Sequence, residues 1–297
     1  MNASVAAPAR GGSLAFALAL VYVIWGSTYL GIRFALEGGF PPFLLGGIRF
    51  VVAGALMFGF LRLRGVAAPT RAQWINAAVM GLLLLALGNG LVNFAEQTVS
   101  SGITAVVVAS VPLWMGIFAA LRGQHPARLE WLGLAIGFAG VLWLNAGGMR
   151  SGSFGGLLAL LAASIAWSFG SVWSRGRDLP SPFMTAAAQM LCGGAAMLLV
   201  ALASGERFAA MPGPGAWAAF AYLVVFGSLI GFSAYVWLLH HARPALVGSY
   251  AYVNPVIAVL LGAWLAHERF GAHDLAAMAL IVAGVVVITF ARMGKRA

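Results

Sequence analysis

Residues 101–121, SGITAVVVASVPLWMGIFAAL, and residues 245–266, ALVGSYAYVNPVIAVLLGAWLA, decide the fold of this chain. Both stretches are apolar and free of charged residues, and each is long enough to cross the hydrocarbon core of a bilayer as a helix. Each contains an internal proline, Pro112 and Pro255, and these are 143 positions apart. We therefore interpret the two stretches as equivalent membrane helices in two copies of one unit.

Other landmarks recur at nearly the same separation, between 140 and 144 residues. The pairs are Trp25 and Trp167, Pro42 and Pro182, Phe43 and Phe183, Gly54 and Gly194, Trp74 and Trp217, Gly88 and Gly231, and Gly140 and Gly284. Identity between the halves is low, so the shared order and spacing carry the signal. Paired repeats in membrane proteins commonly build one transport path between them.

The composition excludes a soluble globular domain. The chain is 62% hydrophobic and 8% charged, whereas soluble domains are about 25% charged. Apolar stretches predict ten membrane helices with short connections and no soluble catalytic domain. The predicted spans lie near residues 14–35, 42–61, 73–95, 101–121, 130–147, 154–174, 183–203, 216–239, 245–266 and 274–291.

The net charge of +10 orients the chain and does not indicate a nucleic-acid partner. If the N-terminus is cytoplasmic, the inner segments hold 12 Lys and Arg residues and the outer segments hold 4. Cytoplasmic loops carry the excess of basic residues. The sequence therefore predicts a multi-pass membrane protein with both termini in the cytoplasm.

Five predicted helices per repeat is an odd number, so the second unit enters the membrane from the opposite side. Such inverted-topology repeats are typical of secondary transporters, whose binding site lies near the midplane between the repeats. We predict an all-α membrane protein with ten transmembrane helices in two inverted five-helix repeats. The expected units are residues 1–148 and 149–297, with a seam in the Gly-rich loop 147–153.

Several motifs resemble the drug/metabolite transporter superfamily, of the EamA type. They are Trp25-Gly26-Ser27-Thr28-Tyr29, Arg49-Phe50, Leu87-Gly88-Asn89-Gly90, Pro112, residues 249–255 with Asn254-Pro255, and His267-Glu268-Arg269. Two of these stretches, residues 87–90 and 249–255, are similar to the branch of bacterial inner-membrane exporters that includes YedA and YddG, and this resemblance implies a location in the bacterial inner membrane. One departure is Gln124, where the first repeat of the family usually carries a Glu.

The resemblance implies an exporter of small metabolites, with amino acids, aromatic or neutral, as the leading class. Export of drugs, nucleosides or sugars is the alternative. An intramembrane enzyme is disfavoured because no span holds paired carboxylates, a Ser/His pair or metal ligands at workable spacing. A channel or a receptor is a third class, against which the inverted repeat argues. The oligomeric state, monomer or dimer, is left open.

Arg49 lies inside the second predicted span, where a charge costs about 2.5–3.5 kcal/mol on insertion scales. It must therefore face protein or a wet cavity. A guanidinium suits a substrate carboxylate, and the structural alternative is donation to helix-end carbonyls. Its counterpart in the second repeat is the neutral Gln189, so a cavity that held both would be chemically asymmetric.

Polar residues on two other spans are further candidates for substrate binding. Asn89 and Asn93 are four residues apart and therefore share a helix face, as do Tyr250 and Asn254. Glu96, near the outer end of the third span, is a candidate proton or ammonium site. The alternative for the asparagines is ordinary hydrogen bonding between helices, worth about 0.6 kcal/mol. The alternative for Glu96 is that it is only solvated at the predicted membrane interface.

Aromatic residues could line the same pocket and make it apolar. Trp25 and Trp167 occupy matching places in the two repeats, and Thr28 and Tyr235 would add polar groups. Such a pocket suits neutral or zwitterionic organic molecules. The alternative is that these aromatic side chains only pack or lie at the membrane interface.

Pro112 and Pro255 are candidate hinges for alternating access, because a proline within a span removes a backbone hydrogen bond. Static kinks are the alternative. The chain has no G-x-x-x-x-G-K-[ST] motif, which makes direct ATP drive improbable. His240-His241 and His267-Glu268 lack metal-site spacing. We expect no cofactor and no metal.

Overall fold

The structure, a computed structural model, describes residues 11–99, 101–144, 153–266 and 271–291. It consists of helices in the predicted order. We number them α1 Gly11–Glu37, α2 Pro42–Leu63, α3 Arg71–Ala95, α4 in two parts (Ser101–Val108 and Val111–Leu121), α5 Arg128–Leu144, α6 Phe154–Trp173, α7 Pro182–Ala203, α8 Pro214–His241, α9 in two parts (Pro244–Gly248 and Tyr250–Ala266), and α10 Ala272–Phe290.

Seven of these helices are long and apolar enough to cross a membrane by length and composition: α1, α2, α3, α6, α7, α8 and α10. The other three segments are a 17-residue α5 and the interrupted α4 and α9. The all-α membrane fold is therefore confirmed. The count of ten spans is compatible with these segments.

Matched residues begin and end the corresponding helices of the two repeats. Pro42 and Pro182 stand in the first turns of α2 and α7, where a missing N–H costs no helical hydrogen bond. Gly65 and Gly205 follow the ends of the same two helices, with φ of 79° and 71°. Glycine adopts this left-handed conformation without steric cost. The repeated landmarks thus mark helix boundaries.

Large apolar side chains cover much of the outer surface of the bundle. Phe16, Phe60, Leu121, Phe154 and Leu199 are examples among the described residues, and all are exposed. Exposed apolar patches of this extent are unfavourable in water. They are the surface that a bilayer would cover.

The packing of the helices repeats between the two halves. α2 packs along α7 and α5 packs along α10, and each of these pairs joins corresponding helices. α1 packs on α8 and α9, and α6 packs in the same way on α3 and α4. Exchanging the first five helices with the last five reproduces this pattern, as expected for two related units that interlock.

Repeated glycines allow the closest of these approaches. A Cβ added at Gly54 would lie 2.9 Å from the backbone nitrogen of Leu191, and one at Gly194 would lie 2.8 Å from that of Val51. Only glycine permits such contact between α2 and α7 without a shift of the backbones. These glycines set the spacing of the central helix pair.

The two ends of the bundle differ in charge. The ends of α4, α6 and α8 and the starts of α5 and α9 meet at one end, through contacts of Arg122, Arg175 and Arg243. We call this the basic end. At the opposite end, Glu206 after α7 accepts hydrogen bonds from the backbone N–H groups of Phe43 and Leu44, at the start of α2.

The two proline-containing segments are interrupted, but not in matching places. α4 breaks at residues 109–110, just before Pro112. α9 breaks at Ser249, and Pro255 lies within the continuous helix that follows. Gly248 packs against Pro112, since a Cβ there would be 3.1 Å from its Cα. The two segments are in contact, and their role as hinges stays a prediction.

Two helical stretches have π-helical geometry, and they occupy corresponding positions in the repeats. They are Gly81–Asn89 in α3 and Leu223–Phe232 in α8. Extended π-helix is rare and is frequently found at functional sites. The sequence analysis did not predict it.

Two predictions fall on residues that the structure does not describe. The seam at residues 147–153 lies largely outside the described residues, as does the His267-Glu268-Arg269 motif. The division into residues 1–148 and 149–297 therefore stays a prediction.

Candidate functional site

A cavity lies between the two repeats, walled by α1, α2, α3, α4, α6, α8 and α9. The empty space between its walls is about 700 Å³, including the part that opens to the outside. It extends toward the opposite end of the bundle past Tyr29, Ile32 and Val92. Towards the basic end, a cluster of aromatic side chains lies against it.

The aromatic cluster consists of Trp25, Trp167, Tyr235 and Tyr250. Five of its ring pairs have centroid separations between 4.9 and 5.6 Å, the Trp25–Trp167 pair among them. Trp167 donates from Nε1 to the Tyr235 hydroxyl at 2.8 Å. The cluster therefore offers a mainly apolar wall, within which one hydrogen bond joins Trp167 to Tyr235.

Trp25 and Trp167 each pack against a glycine of the other repeat. A Cβ added at Gly231 would lie 2.7 Å from Nε1 of Trp25, and one at Gly88 would lie 2.7 Å from the ring of Trp167. Both glycines belong to the π-helical stretches, and Trp25 also donates to the carbonyl of Gly227 in the second stretch, at 3.2 Å. The repeated Trp and Gly positions thus form two related contacts beside the cavity.

Arg49 lies in the wall of the cavity and is 3% exposed. Its Nε donates to the Ser228 hydroxyl at 2.8 Å, and its Cζ is 4.7 Å from the centroid of the Phe50 ring. Among the described residues, no acidic side chain pairs with it, and its two Nη groups have no hydrogen-bond acceptor. A buried cation of this kind requires an anionic or strongly polar partner.

The guanidinium of Arg49 lies directly against the backbone of Gly227 in α8. Arg49 Nη2 would be 2.6 Å from a Cβ at Gly227, so a larger residue there would push it aside. Among the described residues, Arg49 does not donate to helix-end carbonyls, which is the structural alternative.

Asn89 and Asn254 supply oxygen acceptors to the cavity. Both residues line it, and the Oδ1 atoms of both are buried without a hydrogen-bond partner among the described residues. Buried polar groups are normally satisfied. The two oxygens are therefore candidate acceptors for a ligand in the cavity.

Seven of the ten predicted binding residues line the cavity: Trp25, Thr28, Arg49, Asn89, Trp167, Tyr250 and Asn254. Three do not. Asn93 is fully buried and donates to the carbonyl of Pro42 at 3.1 Å, and Gln189 is fully buried with its Nε2 3.2 Å from Met80 Sδ. Tyr235 belongs to the aromatic cluster, and its hydroxyl is occupied by Trp167 and Ser171.

Glu96 follows the last residue of α3, at the opposite end from the basic residues. It does not line the cavity but interacts electrostatically with Arg33 and Tyr29 of α1. Burial raises the pKa of this carboxyl to about 8, and Arg33 opposes the shift. A group with this pKa can exchange a proton near neutral pH.

Sequence reasoning missed two polar residues of the site. Ser164 of α6 lines the cavity, and Ser228 of α8 holds Arg49. The signal for Ser164 was a serine stripe at spacings of four and three along α6, namely Ser164, Ser168 and Ser171. Ser164 and Ser168 also donate to the carbonyls of Val107 and Val111, which flank the break in α4.

Within the described residues, no group of three or more His, Cys, Asp or Glu side chains could hold a metal ion. The chemistry that the cavity offers is recognition: one cation, two amide oxygens and an aromatic wall.

Comparison with known proteins assigns the family. The EamA-like transporter family matches the chain twice, over residues 12–146 and 154–290. The inner membrane transporter YedA of Escherichia coli (strain K12) is 46% identical over 277 residues, 93% of this chain and 90% of YedA. The transporter YvbV of Bacillus subtilis (strain 168) is 26% identical over 292 residues, 95% of this chain and 93% of YvbV.

One protein of known crystal structure has the same fold, with a TM-score of 0.80 over 95% of this chain and 99% of that one, at 24% identity. This likeness concerns the fold alone. The two family matches cover both repeats and nearly all of the described helices. The chain belongs to the EamA-like transporter family and is a membrane transporter.

Proposed function

We propose that this protein is a secondary transporter that exports small metabolites bearing a carboxylate, with neutral and aromatic amino acids as the leading substrates. The substrate binds in the cavity between the repeats and crosses by alternating access. The observation that carries the proposal is Arg49, a buried cation without an acidic partner among the described residues.

The carboxylate of the substrate would pair with the free Nη groups of Arg49. A guanidinium offers two parallel donors to a carboxylate, which gives both strength and a defined orientation. Since the cost of burying the charge is present in the empty protein, a carboxylate would relieve it on binding. A neutral sugar or nucleoside could not do so.

The rest of an amino acid matches the other walls of the cavity. The unsatisfied Oδ1 atoms of Asn89 and Asn254 would accept hydrogen bonds from the ammonium group. The aromatic cluster would receive an apolar or aromatic side chain, through ring contacts. Asn93, Gln189 and Tyr235 would then act indirectly, by holding helices and rings in place.

The orientation follows from the charges. We place the basic end and both termini in the cytoplasm by the positive-inside rule, and the name of YedA supports the bacterial inner membrane. Glu96 would then lie at the outer end, where it could attract an ammonium group or carry a proton. Uncoupled downhill export is the alternative to proton coupling, and a monomer or a dimer would serve the mechanism.

The proposal is tested in proteoliposomes without ATP, using radiolabelled phenylalanine and leucine and, as matched compounds, phenylalanine amide and phenethylamine. We expect the two acids to move along their gradients and the two compounds without a carboxylate to move far more slowly. Transport of nucleosides or sugars in place of both amino acids would overturn the substrate assignment.

Arg49→Gln should reduce kcat/KM for phenylalanine by about 10- to 100-fold, the cost of losing hydrogen bonds to a charged group. Arg49→Lys should retain part of the activity, because it keeps the charge and loses the fork geometry. Equal transport of phenylalanine and its amide by the unmodified protein would show that Arg49 does not read the carboxylate.

A further inference from the structure

The basic end of the bundle is held closed by arginine contacts across helix ends. Arg175, just after α6, donates from Nη2 to the carbonyls of Leu239 (3.3 Å) and Ala242 at the end of α8. Arg122 donates to the carbonyls of Val172 and Trp173 at the end of α6. Cations at helix C-termini also interact favourably with the helix dipole.

An ion pair adds to this closure. Arg243, at the start of α9, lies 3.1 Å from the carboxylate of Glu130 in the first turn of α5. Glu130 is 3% exposed. Burial, together with the nearby Arg243 and Arg122, lowers the pKa of Arg175. The three cations are close together at this end. Backbone carbonyls and the Glu130 carboxylate compensate their charges.

The repeat relates this closure to a second pair of residues at the opposite end. Arg175 stands eight residues after Trp167, and Arg33 stands eight residues after Trp25. Leu239 stands eight residues after Gly231, and Glu96 stands eight residues after Gly88. The counterpart of the contact between Arg175 and the Leu239 carbonyl is therefore a contact between Arg33 of α1 and residue 96 of α3. At that position the Glu96 carboxylate offers a guanidinium a stronger acceptor than a backbone carbonyl.

That second contact is not formed in this structure. The side chain of Arg33 is 65% exposed and binds Glu37, one turn further along α1, at 2.7 Å. Arg33 and Glu96 are close enough to interact electrostatically, but no hydrogen bond joins them. The cavity extends toward this end, whereas the aromatic cluster and the arginine contacts lie on the other side.

We infer that Arg33 and Glu96 form the outer gate of the transporter, which closes when the basic end opens. In an inverted-repeat protein, the two repeats exchange conformations between the two states. The inference rests on the alternating-access part of the proposed function, but not on the identity of the substrate.

The change of partner of Arg33, from Glu37 to Glu96, should cost little free energy. The pair that Arg33 must leave, with Glu37, is an exposed i,i+4 ion pair, and such pairs contribute little. The pair that it would form, with the half-buried Glu96, is a charge-assisted hydrogen bond between helices. In the same transition, Arg175 releases two carbonyl groups.

Cysteine labelling tests this gate without any substrate. In a Cys192→Ala background, Asn89→Cys places a thiol in the cavity wall, and a membrane-impermeant maleimide is added to right-side-out vesicles. Glu96→Gln should keep the outer end open and increase the labelling rate, whereas Arg175→Gln should weaken the closure of the basic end and decrease it. Each change should be about two- to fivefold, the range expected for one ion pair.

Two further variants keep the test decisive. The charge exchange Arg33→Glu with Glu96→Arg should restore a labelling rate close to that of the background, whereas Arg33→Glu alone should not. Glu37→Gln removes the present partner of Arg33. Because an exposed i,i+4 pair contributes little, it should lower the labelling rate by less than Glu96→Gln raises it.

The same direction of change in Glu96→Gln and Arg175→Gln, or a failure of the charge exchange in protein that elutes as a folded peak, would overturn the gate. Because labelling needs no substrate, failure of the amino-acid assignment in liposomes would leave this result standing.

Discussion

At the scale of single residues, Arg49 and the two cavity asparagines determine what the protein can recognise. Within the part of the chain that the structure describes, Arg49 has donors without an acceptor, and Asn89 and Asn254 have oxygens without a donor. A zwitterion presents the complementary groups, an anionic acceptor and a cationic donor. The cavity is therefore polarised along its wall, although most of its surface is apolar.

Asn254 and Asn93 make a matched pair for testing this view. We expect Asn254→Ala to raise KM for the transported amino acid about 10- to 100-fold, the effect of one hydrogen bond to a charged group, with little change in Tm. Asn93→Ala should instead lower stability by about 0.6–1 kcal/mol, because the Pro42 carbonyl loses its donor. Transport assays and thermal unfolding in detergent measure both effects.

The opposite pattern would contradict the assignment of these residues. A raised KM in Asn93→Ala with an unchanged Tm would place that side chain in the binding site, and a fall in Tm alone for Asn254→Ala would make Asn254 structural.

At the scale of helices, the repeated glycines decide how closely the two units interlock. α2 and α7 touch through Gly54 and Gly194, and α5 and α10 touch through Gly137 and Gly284, where a Cβ at Gly284 would lie 2.5 Å from the Gly137 nitrogen. Without a hydrophobic driving force between helices in lipid, such close packing supplies much of the association.

Two glycines of the same helix test this role. Gly54→Ala should destabilise the protein by about 1–3 kcal/mol, because the added Cβ overpacks the contact with α7. Gly59→Ala is the control: nothing lies within 4 Å of the added Cβ, and alanine is the better helix former. Unfolding in detergent should show a lower Tm only for the first variant, and equal effects would mean that the crossing tolerates a methyl group.

At the scale of the whole molecule, arginine contacts join the helices at the basic end, and the cavity extends toward the other end. The closure joins five helices through Arg122, Arg175 and the Arg243–Glu130 pair. Among the described salt bridges, none at the opposite end corresponds to the Arg243–Glu130 pair. The two closures therefore differ in strength, which sets the resting balance between the two states.

Glu130→Gln should shift this balance, since it removes the charge that Arg243 needs while leaving an oxygen to accept from the Ala127 N–H. We expect slower labelling of Asn89→Cys from the outside, in the direction expected for Arg175→Gln. Arg62→Gln is the control, because Arg62 donates only to the nearby carbonyl of Val66. Faster labelling in Glu130→Gln would show that the pair does not hold the basic end closed.

The sequence by itself determined the helical order, the paired landmarks and the presence of a buried cation, because these follow from the length of apolar stretches and the cost of charge in a membrane. The pairing of Trp25 with Gly231 and of Trp167 with Gly88 lies among residues that the repeat already marked.

Only the tertiary structure decided which polar side chains face the cavity. Asn89 and Asn93 are one turn apart, yet the first lines the cavity and the second binds the start of α2. The rotation of α3 depends on its π-helical stretch and on its packing against α6 and α7. The spacing of residues along α3 does not predict how the helix is rotated about its axis, because contacts with other helices determine that rotation.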